Sequence, residues 1–102
     1  MRTEGPRGEG KNYFFMNYFV YILECKDKTL YTGITNDLEK RFLAHKNGTG
    51  AKYTRSHPPK KIVYSKTFRT KGKALKSEIQ IKQLSRPKKL ELIKLFSKNA
   101  NP

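Results

Sequence analysis

Two short stretches, residues 18–23 (YFVYIL) and residues 29–34 (TLYTGI), decide the fold expected of this chain. Both are rich in β-branched and aromatic residues, which favour strands because they pack well on a pleated surface. The polar segment between them contains Lys26, Asp27 and Lys28 and has the length of a hairpin turn. The sequence therefore predicts two antiparallel strands joined by a short turn.

Helices and a third strand are predicted downstream of this hairpin. Asn36 is a suitable helix N-cap and Glu39 follows three residues later, so a helix is expected from there to about Lys46. The remaining predicted elements are a basic loop over residues 51–61, a strand over residues 62–68, a helix over about residues 73–84 and a last helix over about residues 87–96. The order ββαβαα describes an α+β fold, in which a small three-stranded mixed sheet is flanked by helices.

The predicted organisation is one domain between two polar ends. Residues 1–16 are polar and rich in glycine and lack an apolar targeting segment, so they are expected to form a flexible leader. Residues 17–96 are expected to form the folded domain, and residues 97–102 a frayed C-terminal tail. Met16, just before the first strand, is an alternative start that the sequence does not decide.

The chain is strongly basic. It contains 23 Lys and Arg residues against 8 Asp and Glu, which gives a formal net charge of +15. Lys and Arg that contact phosphates release condensed counterions, so this charge indicates a nucleic-acid partner. An anionic membrane surface would attract the same charge, but the apolar run at residues 18–23 is far too short to span a bilayer. The single cysteine, Cys25, excludes an intrachain disulfide, so a cytoplasmic location is expected.

Two strand tyrosines and two helix residues are the first candidates for chemistry. Tyr21 and Tyr31 lie on strands joined by a short hairpin, so the two phenols could project from the same sheet face. Arg41 and His45 are four residues apart and share a helical face. An Arg can clamp a phosphate and a neutral His can accept a proton. The alternatives are ordinary core tyrosines, a solvated Arg and a surface His.

Glu78 is unusual because it lies inside the apolar arc of its predicted helix. That arc is formed by Ala74, Leu75, Ile79 and Ile81. A carboxylate in such a position costs free energy unless a partner neutralises its charge. The partner is either a divalent cation or Lys82, which is four residues further along and in the favourable Glu-to-Lys order.

Together these residues resemble the pattern of the GIY-YIG nucleases. The pattern is carried by residues 19–21 (FVY), residues 31–33 (YTG), Arg41 and the helix-borne Glu78. Two further stretches, residues 50–55 (GAKYTR) and residues 81–86 (IKQLSR), resemble the small stand-alone proteins of that family. The resemblance covers about residues 17–95. The first tripeptide lacks the glycine of the family pattern and Thr32 replaces an isoleucine, but both phenols and Gly33 are present.

The resemblance implies a metal-dependent DNA endonuclease or nickase of low sequence selectivity, which acts in DNA repair or recombination. Residues 17–96 would be its GIY-YIG-like nuclease domain. Glu78 would bind one divalent cation, Mg²⁺ or Mn²⁺. Either Tyr21 or Tyr31 would help to activate the attacking water while the other supports it. Arg41 would stabilise the charge that develops on the phosphate, and His45 would assist proton transfer.

DNA is the expected partner, with RNA as a further possibility, and the basic residues expected to contact it form two clusters. They are Lys52, Arg55, Lys60 and Lys61 after the first helix, and Lys82, Arg86, Lys88 and Lys89 near the C-terminus. Tyr53 and His57 lie among the first cluster and could stack on an opened base. No recognition helix is evident, so contacts to phosphate are expected to dominate. The alternatives are a non-catalytic nucleic-acid-binding module and a membrane-surface adaptor; the sequence identifies no targeting protein or oligomeric state.

Overall fold

The computed structural model of the protein describes residues 17–100. Its elements are β1 (Tyr18–Cys25), β2 (Leu30–Thr35), α1 (Leu38–Lys46), α2 (Lys52–Ser56), β3 (Pro59–Phe68), α3 (Lys71–Lys82) and α4 (Arg86–Ala100). The predicted flexible leader, residues 1–16, lies outside the described residues. The α+β fold and the three-stranded sheet flanked by helices are confirmed.

The sheet has the strand order β2-β1-β3, and both strand pairs are antiparallel. The predicted mixed sheet is therefore wrong. The reason is topological: β2 and β3 both run opposite to β1, but β1 lies between them, so they never pair as parallel neighbours. The predicted hairpin is confirmed, and the Asp27 carboxylate closes its turn by accepting from the Thr29 amide at 3.1 Å and the Thr29 hydroxyl at 2.6 Å.

The connection between α1 and β3 differs from the predicted basic loop. It contains the five-residue helix α2, and β3 begins at Pro59, three residues earlier than expected. The start of α1 also differs by one residue, because Asp37 rather than Asn36 is the N-cap, and its carboxylate accepts from the Lys40 amide at 3.1 Å. Adjacent Asn and Asp are both good caps, so composition did not distinguish them.

The two C-terminal helices are displaced from their predicted bounds. α3 begins earlier, at Lys71, because the Thr70 side chain caps it by accepting from the Lys73 amide. α4 continues through Ala100, so the predicted tail is helical as far as the described residues extend, and residues 101–102 lie outside them. Residues 97–100 contain neither Gly nor Pro, and nothing local ends the helix there. No helix within residues 17–100 is long and apolar enough to cross a membrane.

The hydrophobic core lies on one face of the sheet. Val20 and Ile22 of β1 are fully buried there with Tyr64 of β3, against Ala74 and Ile81 of α3. α4 adds Leu92, Ile93 and Phe96 to this core. Because successive side chains of a strand point to opposite faces, Tyr21 projects from the other face. β1 therefore anchors the core with its even-numbered residues and presents Tyr21 towards α1.

Candidate active site

The two strand tyrosines lie together on the sheet face opposite the core. In the β1–β2 register Tyr21 is opposite Gly33 and Leu23 is opposite Tyr31, so the tyrosines are diagonal neighbours. Their ring centroids are 6.3 Å apart. The phenol of Tyr21 crosses directly over Gly33: a Cβ at that position would overlap the Tyr21 hydroxyl and lie 2.6 Å from its Cζ. Gly33 is thus required for the close approach of Tyr21 to β2.

His45 of α1 is buried beneath this pair, with only 1% of its surface exposed. Its Nε2 is 2.8 Å from the Tyr21 hydroxyl, and its Nδ1 is 2.7 Å from the Thr54 hydroxyl of α2. The chain between α1 and α2 crosses the imidazole at Gly50, where a Cβ would lie 2.6 Å from Nδ1. The alternative of a surface histidine is therefore wrong.

The ionisation of both groups is set mainly by burial. Burial, followed by the positive charge of Arg41, lowers the pKa of His45 to about 4, so the imidazole is neutral near pH 7. Burial raises the pKa of Tyr21 to about 12, although a hydrogen bond from Arg41 opposes that rise. The phenol of Tyr21 is therefore protonated near pH 7. A neutral imidazole and a neutral phenol meet at 2.8 Å.

Arg41 lies beside both phenols and is half-buried, in contrast to the solvated Arg of the alternative interpretation. A hydrogen bond to Tyr21, more than any other contact, raises the pKa of its guanidinium. Its buried Nε has no hydrogen-bond partner among the described residues. The same side chain lines an open cleft at the start of α1, together with Thr35, Asn36, Asp37, Lys40 and Ala44. An Arg with an unsatisfied donor at a cleft is suited to bind an anion.

Glu78 of α3 lies at the border of the core, with 13% of its side chain exposed. Ala74 and Ile81 are buried beside it, but Leu75 is 38% and Ile79 is 56% exposed, so the predicted apolar arc is buried on one side only. Lys82 is 3.2 Å from the carboxylate. The negative charge of Glu78 also contributes to the raised pKa of Tyr21, which relates the carboxylate electrostatically to the tyrosine site.

The donors available for a metal are few. Among residues 17–100 no group of three or more His, Cys, Asp or Glu side chains converges as a metal cage would require. Glu78 is the carboxylate that acts on Tyr21. A single carboxylate fits Mg²⁺ or Mn²⁺ that keeps most of its waters and takes other oxygens from a phosphate, and it does not fit a closed structural metal site.

A row of stacked rings extends from the site along α2, and the sequence did not predict it. Tyr31 stacks on Tyr53 with centroids 5.9 Å apart, and Tyr53 stacks on His57 at 4.1 Å. Asp27 holds the far end of the row, since its carboxylate is 2.6 Å from Nδ1 of His57. Tyr53 therefore packs against two rings of the protein itself, although 38% of its surface stays exposed.

Thr54 was also missed, although it belongs to the stretch GAKYTR that carried the family resemblance. It is 2% exposed and contacts His45 directly. Its segment was predicted to be a loop, and periodicity over five residues is too short to indicate a buried helical position. The spacing of nine residues between His45 and Thr54 gives no local signal of contact.

The predicted DNA-contacting residues lie on four elements, α2, β3, α3 and α4. Most are exposed and Lys89 is half-buried. Two already have partners: Lys82 pairs with Glu78, and the Arg86 guanidinium donates to the Lys28 carbonyl at 2.9 Å. Lys52 and Arg55 flank Tyr53 and Thr54 on α2, so a basic surface adjoins the tyrosine site there.

Comparison with known proteins gives a consistent result. Residues 17–91 match the GIY-YIG catalytic domain. The chain is 59% identical over 78 residues to a UPF0213 protein of Clostridium perfringens, covering 76% of this chain and 83% of that one. It is 53% identical over 76 residues to a UPF0213 protein of Staphylococcus saprophyticus, covering 74% and 93% of the two chains.

A solved structure agrees with the fold. The solution NMR structure of a UPF0213 protein from Bacillus halodurans is 48% identical, with a TM-score of 0.52, and covers 78% of this chain and 85% of that chain. The family match spans both tyrosine strands, Arg41, His45 and Glu78. The arrangement of these residues and the extent of the match lead to one conclusion: this chain belongs to the GIY-YIG family.

Proposed function

We propose that this protein is a metal-dependent DNA endonuclease or nickase with low sequence selectivity, acting in DNA repair or recombination. The observation that carries the proposal is the convergence of Tyr21, Tyr31, Arg41 and His45 in one network of contacts within a GIY-YIG catalytic domain. A packed core does not need such a set. Three polar groups and a cation concentrated on the sheet face opposite the core indicate a reaction site.

The scissile phosphate would bind at Arg41. An unpaired buried donor costs about 1–3 kcal/mol, and the Nε of Arg41 is such a donor among the described residues. A phosphate oxygen in the adjoining cleft would satisfy it. The guanidinium would then stabilise the negative charge that increases on the phosphate during displacement. Because Arg41 is held between two phenols, it would be oriented before the phosphate arrives.

Glu78 would hold the divalent cation, since GIY-YIG nucleases generally depend on one. When bound, the cation supplies charge neutralisation and Lewis acidity at the phosphate. Lys82 now neutralises the carboxylate at 3.2 Å. Its side chain is 54% exposed, so the ammonium can move into solvent at little cost when another cation takes its place.

The surroundings of the two phenols separate their proposed roles. Tyr21 is 1% exposed, and its hydroxyl is occupied by His45, so it would support and orient the other groups. Tyr31 is half-buried and retains access to solvent. We therefore assign the contact with the attacking water to Tyr31. His45, which is neutral, would act by orienting Tyr21 rather than by carrying a positive charge.

Nucleic acid would be held mainly through its phosphates. The net charge of +15 and the exposed Lys52, Arg55, Lys60 and Lys61 favour contacts that are independent of sequence. Contacts of this kind carry little sequence information. The proposed selectivity is therefore for the structure of the substrate, such as branches, flaps or damaged sites.

The experiment is a cleavage panel on branched, flapped, nicked and intact duplex DNA with Mg²⁺ or Mn²⁺. We expect wild-type protein to cut at least one substrate, and Glu78→Gln to abolish cutting while DNA affinity is retained. Glu91→Gln is the matched control, since it removes an exposed carboxylate from α4 and should cut normally. Normal cutting by Glu78→Gln would remove Glu78 from the site.

A non-catalytic nucleic-acid-binding module is the second candidate function. The observation in its favour is the Glu78–Lys82 pair, which satisfies the carboxylate without a metal. In that case wild-type protein would cut neither DNA nor RNA with either cation, yet would bind both with an affinity that decreases steeply as salt increases.

A further inference from the structure

A chain of hydrogen bonds runs from Tyr21, beside Arg41, to the backbone of α2. Its links are Tyr21 to His45 at 2.8 Å, His45 to Thr54 at 2.7 Å, and Thr54 to the Ala51 carbonyl at 3.0 Å. Tyr21, His45 and Thr54 are 1%, 1% and 2% exposed. Water therefore does not supply alternative partners to any of them.

The direction of every bond in this chain follows from its backbone end. A carbonyl can only accept. The other members are a hydroxyl, a neutral imidazole and a phenol, each with one hydrogen to donate. If Thr54 donates to the Ala51 carbonyl, its oxygen must accept from Nδ1 of His45. The Nε2 of His45 then carries no proton and accepts from the Tyr21 hydroxyl, whose oxygen keeps its lone pairs for a donor such as Arg41.

We propose that Thr54 is a positioning residue that holds His45 in the tautomer with its proton on Nδ1, so that Nε2 accepts the Tyr21 hydroxyl proton. Thr54 is suited to this because a threonine in a helix readily donates to the carbonyl three residues earlier. That local bond uses its single hydrogen. Its oxygen is then available only as an acceptor for the imidazole.

The opposite tautomer would place the proton on Nε2 and make Nδ1 an acceptor. Thr54 would then have to donate to Nδ1 and give up its bond to the Ala51 carbonyl. The Ala51 amide would be the other donor to Nδ1, but it is 3.5 Å away, which is long for an N–H donor. Nε2–H would donate to Tyr21, and the Tyr21 proton would point into the site beside the Arg41 cation. The observed contacts favour the first arrangement.

The consequence concerns Arg41 and rests on the proposed function. With the Tyr21 proton directed at His45, the lone pairs of the phenol oxygen are free to accept from the guanidinium. Arg41 is then oriented through a chain anchored at a backbone carbonyl of α2. Thr54 would thereby influence the phosphate-binding group without touching the substrate, as outer hydrogen-bond partners of catalytic His residues do.

The direct test is the tautomer of His45, read from the nitrogen chemical shifts of its imidazole near pH 7. The chain has two histidines, and His57→Gln leaves only the His45 signals. We expect a protonated Nδ1 and an unprotonated Nε2 in the wild-type protein. In Thr54→Val, which keeps the shape but removes the hydroxyl, we expect the tautomer to change. Thr54→Ser should keep the wild-type tautomer, and Thr49→Val is the control for loss of an exposed hydroxyl.

Cleavage supplies the second measurement. For Thr54→Val we expect kcat to decrease roughly 10-fold to 100-fold with little change in KM, and Thr54→Ser to restore it. A wild-type Nε2–H tautomer would overturn the proposal even if Thr54→Val failed to fold. So would a Thr54→Val protein that keeps both the wild-type tautomer and the wild-type kcat. If the wild type cuts nothing, the proposed function fails, whereas the tautomer result still decides the role of Thr54.

Discussion

Gly33→Ala tests the packing of Tyr21 against β2. The added Cβ would overlap the Tyr21 hydroxyl, lie 2.6 Å from its Cζ and lie 3.0 Å from Cε2 of Tyr31. Tyr21 is 1% exposed, so its ring cannot turn into solvent and must displace its neighbours. Overpacking of this kind costs about 1–3 kcal/mol, and a lost Tyr21–His45 hydrogen bond adds about 1 kcal/mol.

The expected result is a decrease in the free energy of unfolding of about 2–4 kcal/mol. For a domain of this size each kcal/mol lowers Tm by roughly 4–8 °C, so the change is readily measured by thermal unfolding followed by circular dichroism. Gly72→Ala is the matched control. It introduces the same methyl group in the first turn of α3, where nothing lies within 4 Å of the new Cβ, and should stabilise the helix by a few tenths of a kcal/mol or more.

A double-mutant cycle with Tyr21→Phe tests whether the loss of stability in Gly33→Ala comes from the clash with Tyr21. Loss of the hydroxyl removes the nearest clash, although Cζ remains at 2.6 Å. Gly33→Ala should therefore be less destabilising in the Tyr21→Phe background, with a coupling free energy of about 0.5–3 kcal/mol. A Gly33→Ala protein as stable as Gly72→Ala would refute the reasoning, as would a cycle in which the two substitutions add independently.

Three further predictions concern charge. Arg41→Lys should lower kcat roughly 10²-fold to 10³-fold because a point charge replaces a planar donor that lies beside two phenols. Single-turnover cleavage measures this rate, and an unchanged rate would contradict the role of Arg41. The pKa of His45 is lowered from 6.5 to about 4, so between those pH values the unfolded chain binds more protons than the folded protein. The free energy of unfolding should therefore have its full value above pH 6.5 and decrease by up to about 3 kcal/mol as pH falls to 4. Urea unfolding measured across that pH range tests this prediction. The His45→Gln variant should lose this dependence of stability on pH, and a wild-type stability that does not change with pH would exclude the lowered pKa. Replacing Lys60 and Lys61 with Ala should weaken binding to all DNA sequences alike and reduce the salt slope by about 0.9 per lost phosphate contact, whereas a sequence-dependent loss would indicate base contacts.

Much of the fold could be read from local sequence because local physics governs it. The composition of residues 18–23 and 29–34 predicted the β1–β2 hairpin, and strand alternation allowed Tyr21 and Tyr31 a common face, which the register of the pair provides. The prediction of a mixed sheet failed at β3. Its antiparallel pairing with β1 depends on a contact between distant segments, for which periodicity carries no information.

Helix bounds and the short α2 were less predictable. Asn36 and Asp37 are equally good caps by composition, and only the hydrogen bond to the Lys40 amide distinguishes them. α2 has five residues, which is too few for a periodic signal. It forms because Thr54 is buried against His45, a tertiary contact that outweighs local preference.

By itself, the sequence determined which residues are chemically unusual: two tyrosines on hairpin strands, Arg41 and His45 on one helical face, and Glu78 within an apolar pattern. Spacing along the chain specifies which face of a strand or helix a residue occupies, and this was enough to single these residues out. Only the tertiary structure decided what each one meets. Burial made His45 neutral and placed it against the Tyr21 hydroxyl, left the Glu78 side chain only 13% exposed, and brought Thr54 into the site. Those outcomes depend on distances and desolvation across separate elements, which no local pattern of residues encodes.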